Sequence, residues 1–246
     1  MRSNKLSQVF LKNEQVLEKI ADSINITKKD VIFEIGGGKG PLTKYLVEKA
    51  KKVIVCEIDK KLIPFLKDYN ATIINENFLK VEIPKEVTKI VGNIPYHLSG
   101  KITEKIMKEQ KPCTILYQKE FAQRIVAKPG NKGYSRIGVL AQTLSIPKIL
   151  FYVSKNDFKP VPKVDSALVS FTPLNKEYDE GFFKFIKTLF KFKNKSVKNA
   201  LLCGRMDWSN ELDKRKLKEK VNNNSEKKVF TLNIEELEQE YKLFKE

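Results

Sequence analysis

The chain has 246 residues and carries 47 Lys+Arg against 30 Asp+Glu, a net charge of +17. That excess points to an anionic partner, nucleic acid or a membrane surface. No run of roughly 18 apolar residues exists, which excludes a transmembrane span. A single histidine, His97, argues against a Ser-His-Asp triad or a His-rich metal centre, and no metal site is expected.

Hydrophobic residues make up 41% of the chain, enough for a real core. The N-terminus lacks the apolar stretch of a signal peptide, so the protein is expected to stay in the cytoplasm. Cys56, Cys113 and Cys203 form neither a CxxC pair nor a zinc quartet, which predicts free thiols in a reducing compartment.

In chain order, residues 13–25 predict an amphipathic helix, with Val16, Leu17, Ile20 and Ile24 at helical spacing. Val31 to Ile35 is a short apolar run stopped by Gly36-Gly37-Gly38, the pattern of a buried strand ending in a glycine turn. Leu42–Ala50 predicts a helix, Val53–Ile58 a strand, Lys60–Asp68 a helix, and Ala71–Asn75 and Lys89–Gly92 two more strands. A helix over Lys101–Lys108 and a strand over Cys113–Gln118 follow. This alternation predicts an α/β, Rossmann-like fold: an open, mostly parallel sheet with helices on both faces. After Asn175 strand signals fade. Residues 182–192, 197–202, 212–221 and 234–244 read as helices. The expected division is a domain over 1–176 and a small helical domain over 177–246.

Three features mark a site. The first is Gly36-Gly37-Gly38-Lys39-Gly40, where glycines let a backbone pass close to a ligand; the dinucleotide fingerprint G-x-G-x-x-G fails here. The second is Glu57, about 20 residues on, whose carboxylate can accept from ribose hydroxyls. The bland alternative for both is an ordinary tight turn and a solvated acid. The third is Asn93-Ile94-Pro95-Tyr96, after the fourth strand, where ligands bind in open α/β sheets. The adenine exocyclic amine is weakly nucleophilic because its lone pair is delocalised. Asn93 Oδ1 and the Ile94 carbonyl can accept its two N–H bonds and stabilise the charge that builds on nitrogen. Tyr96 can stack on the base. The alternative is a Pro-Tyr turn with a capping Asn.

Asn93-Ile94-Pro95-Tyr96 is similar to the N/D-P-P-Y motif of S-adenosylmethionine-dependent amino methyltransferases. Ser7 to Leu11, Phe33 to Thr43, Asn77-Phe78-Leu79, Gln118 to Gly130, Phe158 to Ala167 and Lys193 to Leu201 resemble successive blocks of the rRNA adenine N6-dimethyltransferase superfamily. The likeness is to the KsgA type more than to the Erm type, and covers about residues 5–203. It implies dimethylation of adenines in small-subunit rRNA, S-adenosylmethionine as cofactor, and a monomer. Gln8, Val9 and Leu11 would cover the cofactor's methionine end. Gly36 and Gly38 would pack against it, Glu57 would hold the ribose, and Ile58 would lie alongside. Asn77 and Phe78 would flank the cofactor's adenine, and Asn93 would touch both cofactor and target. Phe158 and Tyr96 would sandwich the target base. The chain departs from the pattern at Val9, Asn77 and Gly100, where the family prefers Asn, Asp and Thr or Ser.

The RNA would meet lysines. Residues 101–136 hold nine Lys/Arg against three acids, and 184–228 are similarly basic, whereas 231–246 are net −3. Such density suits phosphate contacts; a Lys-rich surface is the plain alternative. Gly130 to Arg136 reads as a flexible basic loop with one aromatic, Tyr134, suited to RNA or simply solvated. Phe182 to Phe192 is expected to be the core face of a helix.

Overall fold

A computed structural model describes residues 9–208 and 224–245. The helix expected over 212–221 lies outside them. The chain divides into two compact units: the described parts of Met1–Ala122 with Ser145–Pro173, and of Gln123–Leu144 with Leu174–Glu246. The division differs from a single cut at 176/177, because the segment 123–144 groups with the C-terminal residues.

The first unit is built on a seven-stranded sheet. Its parallel half holds β2 (Val31–Ile35), β3 (Lys52–Cys56), β4 (Thr72–Ile74), β5 (Lys89–Asn93) and β6 (Cys113–Gln118). The strand order is β4-β3-β2-β5-β6-β9-β7, where β7 (Ser145–Val153) and β9 (Ser166–Pro173) run antiparallel to their neighbours. All five residues of β2 are buried, as a central strand covered on both faces demands. Pro147 is tolerated because β7 is the edge strand, where a missing N–H costs no ladder bond.

Helix α1 (Glu14–Ser23) starts where the Asn13 side chain accepts from the Gln15 and Val16 N–H groups, and it buries Leu17, Ile20 and Ala21. Helices α2 (Thr43–Lys49), α4 (Ser99–Lys108) and α5 (Lys119–Val126) follow their strands. The helix expected over Lys60–Asp68 shrinks to a single turn, α3 (Ile63–Leu66), because Pro64 in its first turn has no N–H to extend it backwards. A two-residue ladder pairs β1 (Phe10–Leu11) with β8 (Phe158–Lys159).

Asp30, just before β2, clamps the sheet. Its carboxylate accepts from the Thr27 N–H and hydroxyl, the Thr88 hydroxyl and Lys89 Nζ at 2.8–3.0 Å. Burial opposes its ionisation, yet these donors hold it well below the usual carboxylate range.

In the second unit, α6 (Arg136–Leu144) is buried along nearly its whole length, and it packs on α7 (Glu180–Lys191) and α9 (Ile234–Lys245). Helix α8 (Val197–Trp208) packs on α7. Phe182, Phe183, Phe185 and Phe190 fall at helical spacing, and the first three are buried, as expected of a core face. Among the described residues no helix is long and apolar enough to cross a membrane.

Candidate active site

Strand β2 pairs with β3 on one side and β5 on the other, so the chain reverses direction across the sheet there. The carboxyl ends of β2 and β5 lie side by side at this switch point, and both sequence motifs line the cavity there. Gly36 has φ of +76° and its N–H donates to the Cys56 carbonyl at 2.8 Å. A Cβ on Gly36 would lie 3.5 Å from the Asn93 backbone oxygen. The glycine turn and the Asn93–Tyr96 segment are therefore neighbours.

Glu57 follows β3 and is buried. Its Oε2 accepts from the Gly38 N–H at 2.9 Å and its Oε1 from the Asp59 N–H at 2.8 Å. The carboxylate thus braces the turn, with lone pairs remaining on both oxygens for hydroxyl donors. Ile58, beside it, keeps half its surface exposed on the same cavity wall, and Phe78 stands there too, with its ring centroid 5.9 Å from that of Phe33. Two apolar side chains thus stand beside a buried carboxylate on one cavity wall.

Asn93 donates from Nδ2 to the Val9 carbonyl at 3.3 Å. That bond engages the donor end of the amide and orients Oδ1, its acceptor, away from Val9. It also gives Val9 a backbone role that needs no particular side chain. Ile94, Pro95 and the half-buried Tyr96 continue the wall, and the Tyr96 hydroxyl lies 2.7 Å from Ser166 Oγ. Leu11, Gly36 and Gly38 also line the cavity. A Cβ at Gly100 would meet nothing within 4 Å, so the departure there leaves open space. His97 is exposed at the rim.

Three expected residues stand apart. Asn77 caps the turn Phe78–Lys80, its Oδ1 accepting from the Leu79 N–H at 3.0 Å, and it does not line the cavity. Phe158 is fully buried in the core with Leu11, Leu17 and Ile20, facing Leu11 across the β1–β8 pair, so it is not opposite Tyr96 on the cavity wall. Gln8 lies outside the described residues.

Glu34 was not anticipated. It lines the cavity at 2% exposure and accepts from the Thr43 hydroxyl at 2.6 Å. Its signal was an acid in the otherwise apolar run Val31-Ile32-Phe33-Glu34-Ile35.

A glycine turn braced by a buried acid and an Asn-Ile-Pro-Tyr corner thus share one cavity at the switch point. Residues 2–241 match the model of the family described as ribosomal RNA adenine dimethylase. The chain belongs to that family.

Other members named as small-subunit rRNA methyltransferase A are close in sequence. The one from Methanococcus aeolicus, a "probable" enzyme by name, is 39% identical over 257 residues, covering 96% of this chain and 94% of its own. The one from Mesomycoplasma hyopneumoniae (strain 232) is 42% identical over 209 residues, 80% of each chain. The crystal structure of a dimethyladenosine transferase from Plasmodium falciparum superposes with a TM-score of 0.79 at 26% identity, over 95% of this chain and 97% of that one. The 23S rRNA methyltransferase ErmE shares the fold, with a TM-score of 0.68 at 24% identity over 96% and 100%. Membership in the dimethylase family makes this chain an enzyme with a class I methyltransferase sheet.

Proposed function

We propose that this dimethylase transfers methyl groups from S-adenosylmethionine to N6 of adenines in small-subunit rRNA, two per adenine, in the cytoplasm. The observation that carries the reading is the Asn93 amide, fixed by the Val9 carbonyl at the lip of the glycine turn with its acceptor end remaining for a substrate amine.

The residues fit the cofactor. Gly36 and Gly38 give backbone that a ligand can approach, Glu57 is buried with acceptor capacity beside them, and Ile58 and Phe78 suit its adenine. When bound, it supplies an electrophilic methyl group on a sulfonium sulfur. The chain does the rest. Asn93 Oδ1 and the Ile94 carbonyl accept the amine's two N–H bonds, which favours a pyramidal nitrogen and stabilises the charge developing there. Tyr96 offers a face for the base. No histidine or other general base is needed at the amine, because its proton becomes acidic once nitrogen carries positive charge.

Tritiated-methyl transfer to isolated small and large ribosomal subunits, followed by nucleoside analysis, tests the reading. Dimethyladenosine in the small subunit is expected. Label in the large subunit alone would replace this reading with an Erm-type activity, and no label with intact RNA binding would leave an assembly factor. Asn93→Ala should lower kcat by roughly 10²-fold, the scale of one lost preorganised contact. RNA affinity should hardly move, since phosphates supply most of it.

A further inference from the structure

Tyr96 sits in a short 3₁₀ turn, Tyr96–Leu98, whose Leu98 N–H donates to the Pro95 carbonyl at 2.9 Å. Its hydroxyl reaches away from that turn to Ser166 Oγ, 2.7 Å distant. Ser166 is fully buried at the first residue of β9, and its backbone is held on both sides, opposite Gln118 of β6 and Val153 of β7. One end of the ring therefore hangs from an irregular turn, and the other is tied to a strand paired on both sides. A bond at the hydroxyl lies on the ring's long axis. It fixes the direction of that axis, hence the χ1 rotamer, without taking part in proton transfer.

We propose that Ser166 is a positioning residue for methyl transfer: by holding the Tyr96 hydroxyl it keeps the ring in the one rotamer that meets the target base. The inference rests on the adenine methylation reading above. Its gain belongs to orientation, so it is read in kcat rather than in cofactor binding.

A double-mutant cycle tests it. Tyr96→Phe and Ser166→Ala should each lower kcat roughly fivefold, as expected for one neutral hydrogen bond. Cofactor affinity should stay close to wild type, and Tm should fall by no more than the few degrees that one lost hydrogen bond costs. The double variant should be no slower than the slower single one, because both remove the same bond. Ser166→Thr, which keeps a hydroxyl, should recover most of the rate. Multiplicative losses in the double variant, or an unaffected Tyr96→Phe, would overturn the proposal even if Ser166→Ala folds poorly. A wild type that transfers no methyl would overturn the adenine reading and this inference together. An active wild type with independent variants overturns this inference alone.

Discussion

Two carboxylates flank the glycine turn, and their surroundings set them apart. Glu57 receives two backbone N–H groups, whereas the Glu34 carboxylate has a hydroxyl donor in Thr43. Burial pushes Glu34 up to about 7; the Thr43 bond opposes this and the nearby Glu57 charge adds to it. The folded value lies above the ordinary 4.5, so folding takes up a proton between the two. The stability this group contributes is full below about pH 4.5 and is lost as pH rises through about 7. Glu34→Gln, which can still accept from Thr43, should remove this dependence. Between pH 4.5 and 8 the wild type should lose on the order of 3 kcal/mol relative to the variant. Urea unfolding at a series of pH values measures the difference, and parallel profiles would refute it. At this scale Glu57, Asn93 and Tyr96 could be singled out because Glu57 follows β3 directly, Asn93 closes β5 and Tyr96 comes three residues later, each beside an unmistakable apolar run. Phe158 was not: its motif is plain in the sequence, but the choice between core and cavity wall depends on Leu11, far away in the chain. The Tyr96 hydroxyl escaped for the same reason, its partner being 70 residues distant.

At the scale of elements, the parallel half of the sheet could be read because buried strands and glycine or polar breaks alternate cleanly. The antiparallel half could not. Pro147 looks like a break within Ser145–Val153 until the strand is known to be an edge, and Ser166–Pro173 follows a proline-rich stretch that reads as a connection. The joint between β2 and β3 carries its own test. Gly37 needs no unusual φ, yet a Cβ there would stand 2.3 Å from Val55 Cγ1 of β3 and 3.1 Å from Leu66 of α3. Both side chains are buried, so something must shift. Gly37→Ala should cost about 1–3 kcal/mol, the range for overpacking a tight site. The denaturation midpoint reads the cost, and an unchanged value would mean that Val55 simply rotates aside.

For the whole molecule, net charge of +17 suggests that affinity for RNA falls linearly in log K against log salt. The sequence assigns Lys193, Lys195 and Lys198 alike to phosphates, but their places differ. Lys193 Nζ donates to the carbonyls of Lys132 and Tyr134 at 2.7 and 3.2 Å, and Lys198 pairs with Glu226 at 3.4 Å, while Lys195 is exposed. The loop 130–136, expected to be flexible and either RNA-facing or solvated, is accordingly tied down, and its aromatic Tyr134 is fully buried edge-on to Phe190. Lys193→Ala should lower Tm and leave the salt slope unchanged, whereas Lys195→Ala should flatten the slope by about 0.7–0.9, the share of one phosphate. Binding isotherms over a salt series decide between them; a slope that falls with Lys193→Ala would return that residue to the RNA face.

The second unit is discontinuous in the chain, with Gln123–Leu144 and Leu174–Glu246 separated by two strands of the other unit. Helix α6 buries seven of its nine residues, and the helices that cover it, α7 and α9, come later. On a translating ribosome α6 therefore emerges before the helices that cover it, held to the preceding segment by Gln142 Nε2 donating to the Ile125 and Ala127 carbonyls at 2.8 and 3.0 Å, and waits while β7 and β9 are made. Those strands complete the catalytic sheet first, as vectorial synthesis favours for N-terminal units. A nascent chain that has just completed the methyl-transfer sheet already carries 30 Lys/Arg against 17 Asp/Glu over residues 1–173, a net +13 of the final +17, so the pull toward RNA is largely in place before the second unit is finished.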